Sequence, residues 1–150
     1  MKIDFFQWFG GYFDSKGTIS LRIRKNGNIK PIIQIRGKKP VLEMIRKELN
    51  LKKKLQFHRY TKSHMDRISH CAEGDWTIDL VSKNDIRDFI LIIYQHSLLK
   101  QEQLGLMNNA LNIKDEIRYP SDFKLMKLKE IRKKISELNL KNDPLGHPLG

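Results

Sequence analysis

The sequence predicts an α+β fold, a small antiparallel sheet covered by helices on one face. Three observations predict it. From Thr18 the apolar residues recur with a period of two, Ile19, Leu21 and Ile23 alternating with Ser20, Arg22 and Arg24, the mark of a half-buried strand. Asn26-Gly27 follows as a hairpin signal, because tight hairpin turns need positive φ. Elsewhere the apolar spacing is helical, as in Leu42, Ile45 and Leu49 or Ile86, Phe89, Ile90 and Ile93, which supplies the helices that cover the sheet.

The elements follow in order. Residues 4–13 read as a short apolar helix carrying Phe5, Phe6, Trp8, Phe9, Tyr12 and Phe13 around Gly10-Gly11. Each glycine costs a helix about 1 kcal/mol relative to Ala, so close approach of a second helix is the expected compensation. The strand from Thr18 turns at Asn26-Gly27 into a second, from about Ile29 to Arg36, whose Pro31 belongs near an edge or the turn. Pro40 opens a helix through Val41, Leu42, Ile45 and Leu49. Leu55 and Phe57 alternate with Gln56, His58 and Tyr60 as a third strand, and Arg67 to Cys71 and Trp76 to Val81 read as further strands with a turn around Gly74-Asp75. Ser82 with Asp85 forms a capping-box-like helix start. A helix from about Leu99 and a last amphipathic helix after Pro120-Ser121 complete a single domain over residues 1–140, with an irregular tail at 141–150.

Charge is the strongest bulk signal. Twenty-nine Lys and Arg against 17 Asp and Glu give a net +12 in 150 residues, and a folded domain this basic calls for a polyanionic partner, most commonly nucleic acid. Neither a lipidation motif nor a bilayer-length apolar run is present, so no membrane partner is expected. The start, Met1-Lys2-Ile3-Asp4, lacks the order of a signal peptide. Cys71 is the only cysteine, which excludes an intrachain disulfide and points to an intracellular, reducing compartment. His58, His64, His70 and Cys71 are spaced too evenly and too far apart for a zinc finger.

Residues 9–17, Phe9-Gly10-Gly11-Tyr12-Phe13-Asp14-Ser15-Lys16-Gly17, follow the pattern apolar, small, Gly, two apolars, Asp, small, one variable, Gly. They resemble the LAGLIDADG motif, and the hairpin, the Pro-Val-Leu-Glu-Met-Ile helix and the second strand group come in the order of the LAGLIDADG homing endonuclease family. Leu99-Lys100-Gln101 resembles that family's basic segment near the active site. The resemblance covers roughly residues 5–115 and implies an αββαββα fold with a saddle of antiparallel strands backed by helices. It implies a single-motif, intron-encoded-type homing endonuclease that binds a long, partly palindromic double-stranded DNA site as a homodimer. The motif helices would pair through small residues, with Phe6, Phe9, Gly10 and Phe13 at the interface. Outward strand residues Ser20, Arg22, Arg24, Gln34, Arg36, Gln56, His58, Tyr60 and Arg67 would meet the DNA; independently, Arg and Gln are the side chains that read guanine and adenine edges bidentately. Lys25, Lys30, Lys38 and Lys39 are read as phosphate contacts.

The catalytic positions implied are Asp14, Lys16 and Lys100, with Mg²⁺ as the cofactor and Asp14 and Ser15 as the candidate metal residues. The family places an acid at the motif's eighth letter, where this sequence has Lys16, and an ammonium repels a hard divalent cation. The family's polar side chain near the end of the second strand falls on Gly37. Three accounts of the departure stand open: a DNA binder that no longer cuts, a maturase that binds intron RNA, or an enzyme that recruits Asp14 or a partner subunit's acid. Only Tyr60 is aromatic on the outward strand faces, which favours duplex DNA over stacked RNA bases.

Overall fold

The computed structural model describes residues 4–25, 27–59, 74–116 and 118–141. The element order is α1 (Phe5–Lys16), β1 (Gly17–Ile23), β2 (Ile29–Gly37), α2 (Lys39–Glu48), β3 (Gln56–Arg59), β4 (Gly74–Leu80), α3 (Lys83–Ile93), a 3-10 turn (Tyr94–His96), α4 (Gln101–Asp115) and α5 (Ser121–Lys141). The four strands form one antiparallel sheet in the order β1-β2-β4-β3. The α+β class and the αββαββ core of the expected order are present, followed by three helices.

Local chemistry accounts for the element ends. The Asp4 side chain accepts from the Phe6 amide to start α1, and the Ser82 hydroxyl accepts from the Asp85 amide to start α3, as an N-cap does. Pro40 sits in the first turn of α2, where its missing amide costs nothing. Gly27 turns the β1–β2 hairpin at φ 84°, a left-handed conformation that glycine adopts without strain. Pro31 pairs with Leu21 of β1, while pairing with β4 begins only at Ile33, so no partner strand on that side asks for its absent N–H.

Three boundaries differ from the sequence reading. The helix expected over residues 4–13 runs on to Lys16, because Asp14 near its end is tied to a later segment. Gly74-Asp75, expected as a turn, opens β4 opposite Arg59 and His58; their turn-like composition yields to ladder pairing. The strand expected over 67–71 lies outside the described residues. The last helix runs through Lys141, the first residue of the expected irregular tail, and near its end Asn139 Nδ2 donates to the Ile19 carbonyl at 2.9 Å. That bond satisfies an acceptor on the sheet's β1 edge.

The core lies between the sheet and the helices. Ile19, Ile33, Ile35, Ile78 and Leu80 of the sheet and Phe9, Phe13, Leu42, Ile45, Ile86, Ile93, Leu104 and Met107 of the helices are fully buried. Phe89 receives Phe9 and Phe13 edge-on, with centroids at 5.9 and 5.1 Å. These contacts fix α1 against α3, and so fix where the motif helix ends.

Candidate nucleic-acid interface

Residues directly opposed in an antiparallel ladder share a face. Thr18 opposes Gln34, Ser20 opposes Ile32, and Arg22 opposes Lys30. Gln34 opposes Asp79 and Arg36 opposes Thr77, while Gln56 opposes Thr77 and His58 opposes Asp75. The register therefore brings Ser20, Arg22, Lys30, Gln34, Arg36, Gln56 and position 58 onto the one face that turns away from the core. Arg22, Arg36 and Gln56 are exposed, and Arg24 and Lys25 extend the row into the exposed hairpin. Tyr60 and Arg67 lie outside the described residues. Lys38 is exposed at the start of α2. Lys39 places its ammonium 4.9 Å from the Trp76 ring, and Trp76 alternates onto the opposite face from Thr77. That contact draws Lys39, itself exposed, toward the opposite side of the sheet from the outward row. Asp75, Thr77 and Asp79 stand on the same face; the sequence reading did not single them out, and the signal that could have found Thr77 and Asp79 is their alternation with Trp76, Ile78 and Leu80.

A second cluster sits at the end of α1. Asp14 accepts a hydrogen bond from the Ser97 hydroxyl and another, at 2.9 Å, from the Leu98 amide. Ser97 is fully buried, and its oxygen also accepts from the Lys100 amide at 3.2 Å. Asp14 and Lys100, 86 residues apart in sequence, are thereby held together through Ser97. Burial holds the Lys100 ammonium below the ordinary lysine range, and the nearby Asp14 charge offsets this in part. Ser97 was missed in the sequence; its signal is a lone short hydroxyl three residues before Lys100 in an apolar stretch.

Lys16 and Ser15 are exposed on the last turn of α1. A cation is favourable there, since the helix dipole is negative at that end. Both Asp14 oxygens already accept hydrogen bonds, and the described residues contain no group of three or more His, Cys, Asp or Glu able to hold a metal ion. The side chains present at this end of α1 do not fit Mg²⁺. Gly37, at the end of β2, is closely faced by Tyr12: a Cβ there would lie 1.9 Å from the Tyr12 hydroxyl, so the polar side chain the resemblance suggests would require that hydroxyl to shift. That hydroxyl donates to the Arg36 carbonyl at 2.8 Å, and burial, followed by the Asp75 charge, raises its pKa above the ordinary tyrosine value.

The expected interface residues divide. Phe9 and Phe13 are fully buried in this chain's own core. Gly10 is covered by the 3-10 turn, since a Cβ on it would lie 2.0 Å from the His96 carbonyl oxygen. These three cannot meet a second copy without unpacking the core, which corrects their assignment. Phe6, stacked on His96 at 5.6 Å, remains 36% exposed. Gly11 is exposed, and nothing lies within 4 Å of where its Cβ would be.

No protein-family model matches the chain, and no curated protein matches it. Solved structures do. The homing endonuclease I-CvuI, in complex with a DNA target, superposes with a TM-score of 0.65 at 17% identity over 89% of this chain and 80% of that one. The homing endonuclease I-TnaI gives 0.63 at 13% identity, covering 95% and 99% of the two chains. The LAGLIDADG meganuclease I-CpaMI, bound to uncleaved DNA, gives 0.61 at 18% identity over 91% of this chain but only 50% of its own. With the glycine-bearing first helix and the αββαββ order, these superpositions show that the chain has the LAGLIDADG homing-endonuclease fold.

Proposed function

We propose that the chain is a LAGLIDADG-type homing endonuclease by descent that recognises a long, partly palindromic double-stranded DNA site as a homodimer, with its metal-dependent cleavage weakened by Lys16. The observation that carries this reading is the outward sheet face, where the register lines up Arg22, Lys30, Gln34, Arg36 and Gln56. Arg and Gln there suit base edges in a major groove, and the flanking Lys residues suit phosphates. Several solved relatives in fold are bound to DNA, and I-CvuI has been captured on target DNA with Mg and with Ca. Half a palindrome per copy calls for two copies, and the exposed strip of α1 at Phe6 and Gly11 is where a second α1 can approach.

Lys100 has a defined part in this reading. A half-buried ammonium near Asp14, on a residue whose backbone amide is held by Ser97, is a positive charge suited to a phosphate. For the chemistry a divalent ion supplies, activating water and neutralising the leaving oxygen, this chain's own motif helix offers only Asp14, whose two oxygens already accept hydrogen bonds.

The test is selection of bound duplexes from a random DNA pool in Ca²⁺. Recovery of a long pseudo-palindromic site is the expected result. Recovery of no preferred duplex, with tight binding to structured intron RNA, would replace this reading with the maturase one.

A further inference from the structure

Two carboxylates interrupt the basic face. Asp75 and Asp79 stand on β4, on the same side as Gln34 and Arg36 of β2. Each reaches one of them: Gln34 Nε2 donates to Asp79 Oδ1 at 3.0 Å, and Arg36 Nε lies 4.0 Å from Asp75 Oδ2. A carboxylate opposes binding to a polyanion, and an ion pair as exposed as Arg36–Asp75, whose Arg side chain is 55% exposed, adds little to stability. The directly opposed pair Gln34–Asp79 is half-buried and has a more specific consequence.

We infer that Asp79 is a positioning residue for base recognition: it fixes the Gln34 amide in one orientation and so sets which base Gln34 reads. This rests on the DNA-reading function proposed above. A carboxylate only accepts hydrogen bonds, so the NH₂ end of the Gln34 amide, never its carbonyl end, faces Asp79. An unrestrained amide presents donor and acceptor in either order. Held by Asp79, Gln34 keeps its Oε1 and its second N–H in a fixed order for a base edge. Adenine answers that set with an amino donor and a ring acceptor, whereas guanine offers two acceptors. The carboxylate's charge also raises the cost of setting β4 against a phosphate, so the pair belongs over base edges, between the strands' basic margins.

The experiment selects duplexes from a random pool in Ca²⁺ with the full chain, comparing wild type, Asp79→Asn, Gln34→Met and the double variant. Asparagine keeps the shape of Asp79 but can donate as well as accept, which frees the amide to turn over. The expected result is an adenine preference at one base pair of each half-site in the wild type. Asp79→Asn relaxes that position alone, by roughly 5- to 150-fold, at equal or higher total affinity. Gln34→Met relaxes the same position, and the double variant adds nothing. If asparagine prevents folding, Asp79→Thr, a strand-favouring residue that also donates and accepts, carries the same expectation. An unchanged preference in the folded Asp79 variant, or relaxation at positions other than the one Gln34 controls, overturns the inference while leaving DNA recognition standing. A wild type that binds no duplex overturns both.

Discussion

At Gly10 a Cβ would lie 2.0 Å from a backbone oxygen, whereas at Gly11 it would meet nothing within 4 Å. The two substitutions to alanine should therefore have opposite signs. Gly10→Ala forces the 3-10 turn off α1 and should cost about 1–3 kcal/mol, the range for an overpacked core. Gly11→Ala removes only the helix penalty of glycine and should gain up to about 1 kcal/mol in the monomer. Urea unfolding of both variants checks this, and equal destabilisation would show that the pair acts as one packing unit. Lys100 gives a second residue-scale expectation. Its pKa is lowered chiefly by burial, so folding disfavours its charged form. The sign follows: stability is reduced below the folded pKa and recovers as the pH rises from that value toward the unfolded one. Lys100→Met should raise Tm at neutral pH, flatten the alkaline rise in stability, and weaken duplex binding. A drop in both Tm and binding would mark Lys100 as a packing residue.

The helices at the back of the sheet are joined by charge as well as by core contacts. Asp115 at the end of α4 takes Arg87 at 2.6 Å and Lys83 at 3.0 Å, both from α3. The Arg87 hydrogen bond, then that of Lys83, holds its pKa below the ordinary 3.8. A depressed carboxylate stabilises the fold above the unfolded pKa, and that contribution disappears as the pH falls through the folded value. Asp115→Asn should therefore remove a part of the acid sensitivity that lies below about pH 4. The partners are exposed, so the effect is small and shrinks in salt; thermal unfolding in low and high salt measures it. Such nodes were invisible in the sequence, where Lys83, Arg87 and Asp115 fall on two separate helices. What was legible was local: the alternation through Ile19, Leu21 and Ile23, the Asn26-Gly27 hairpin, Pro40 at a helix start and Ser82 as a cap. Register was legible by parity, which is why the outward residues of β1 and β2 share a face as expected. What needed the third dimension was the direction each face of α1 points. An apolar helix with residues on all sides gives no stripe to orient it, so Phe9, Gly10 and Phe13 read as partner-facing although they belong to the chain's own core.

Seen as a whole, the molecule presents a basic outward sheet face and a motif helix whose remaining exposed strip carries Phe6 and Gly11 and ends at Lys16. In a homodimer that pairs the two motif helices in parallel on that strip, two copies of Lys16 would come to the same end, and two ammonium groups there would repel each other as well as any divalent ion. Lys16→Asp reverses both effects. It places an acid at the motif's eighth letter, at some cost in stability because an anion is unfavourable at a helix C-terminus, by about 0.3–1 kcal/mol. The expected outcome is a slightly lower Tm together with new or stronger Mg²⁺-dependent cleavage of the selected duplex. Gly11→Leu in the Lys16→Asp background supplies the matching control. Gly11 is exposed, with nothing within 4 Å of where its Cβ would be, so the protein should stay folded, sediment as a monomer and lose double-strand cleavage. Cleavage that survives in a monomer would detach activity from the proposed pairing. Lys16→Asp protein that binds its site tightly yet never cuts would place a second defect beyond the motif, with the close fit of Tyr12 against Gly37 the first position to open.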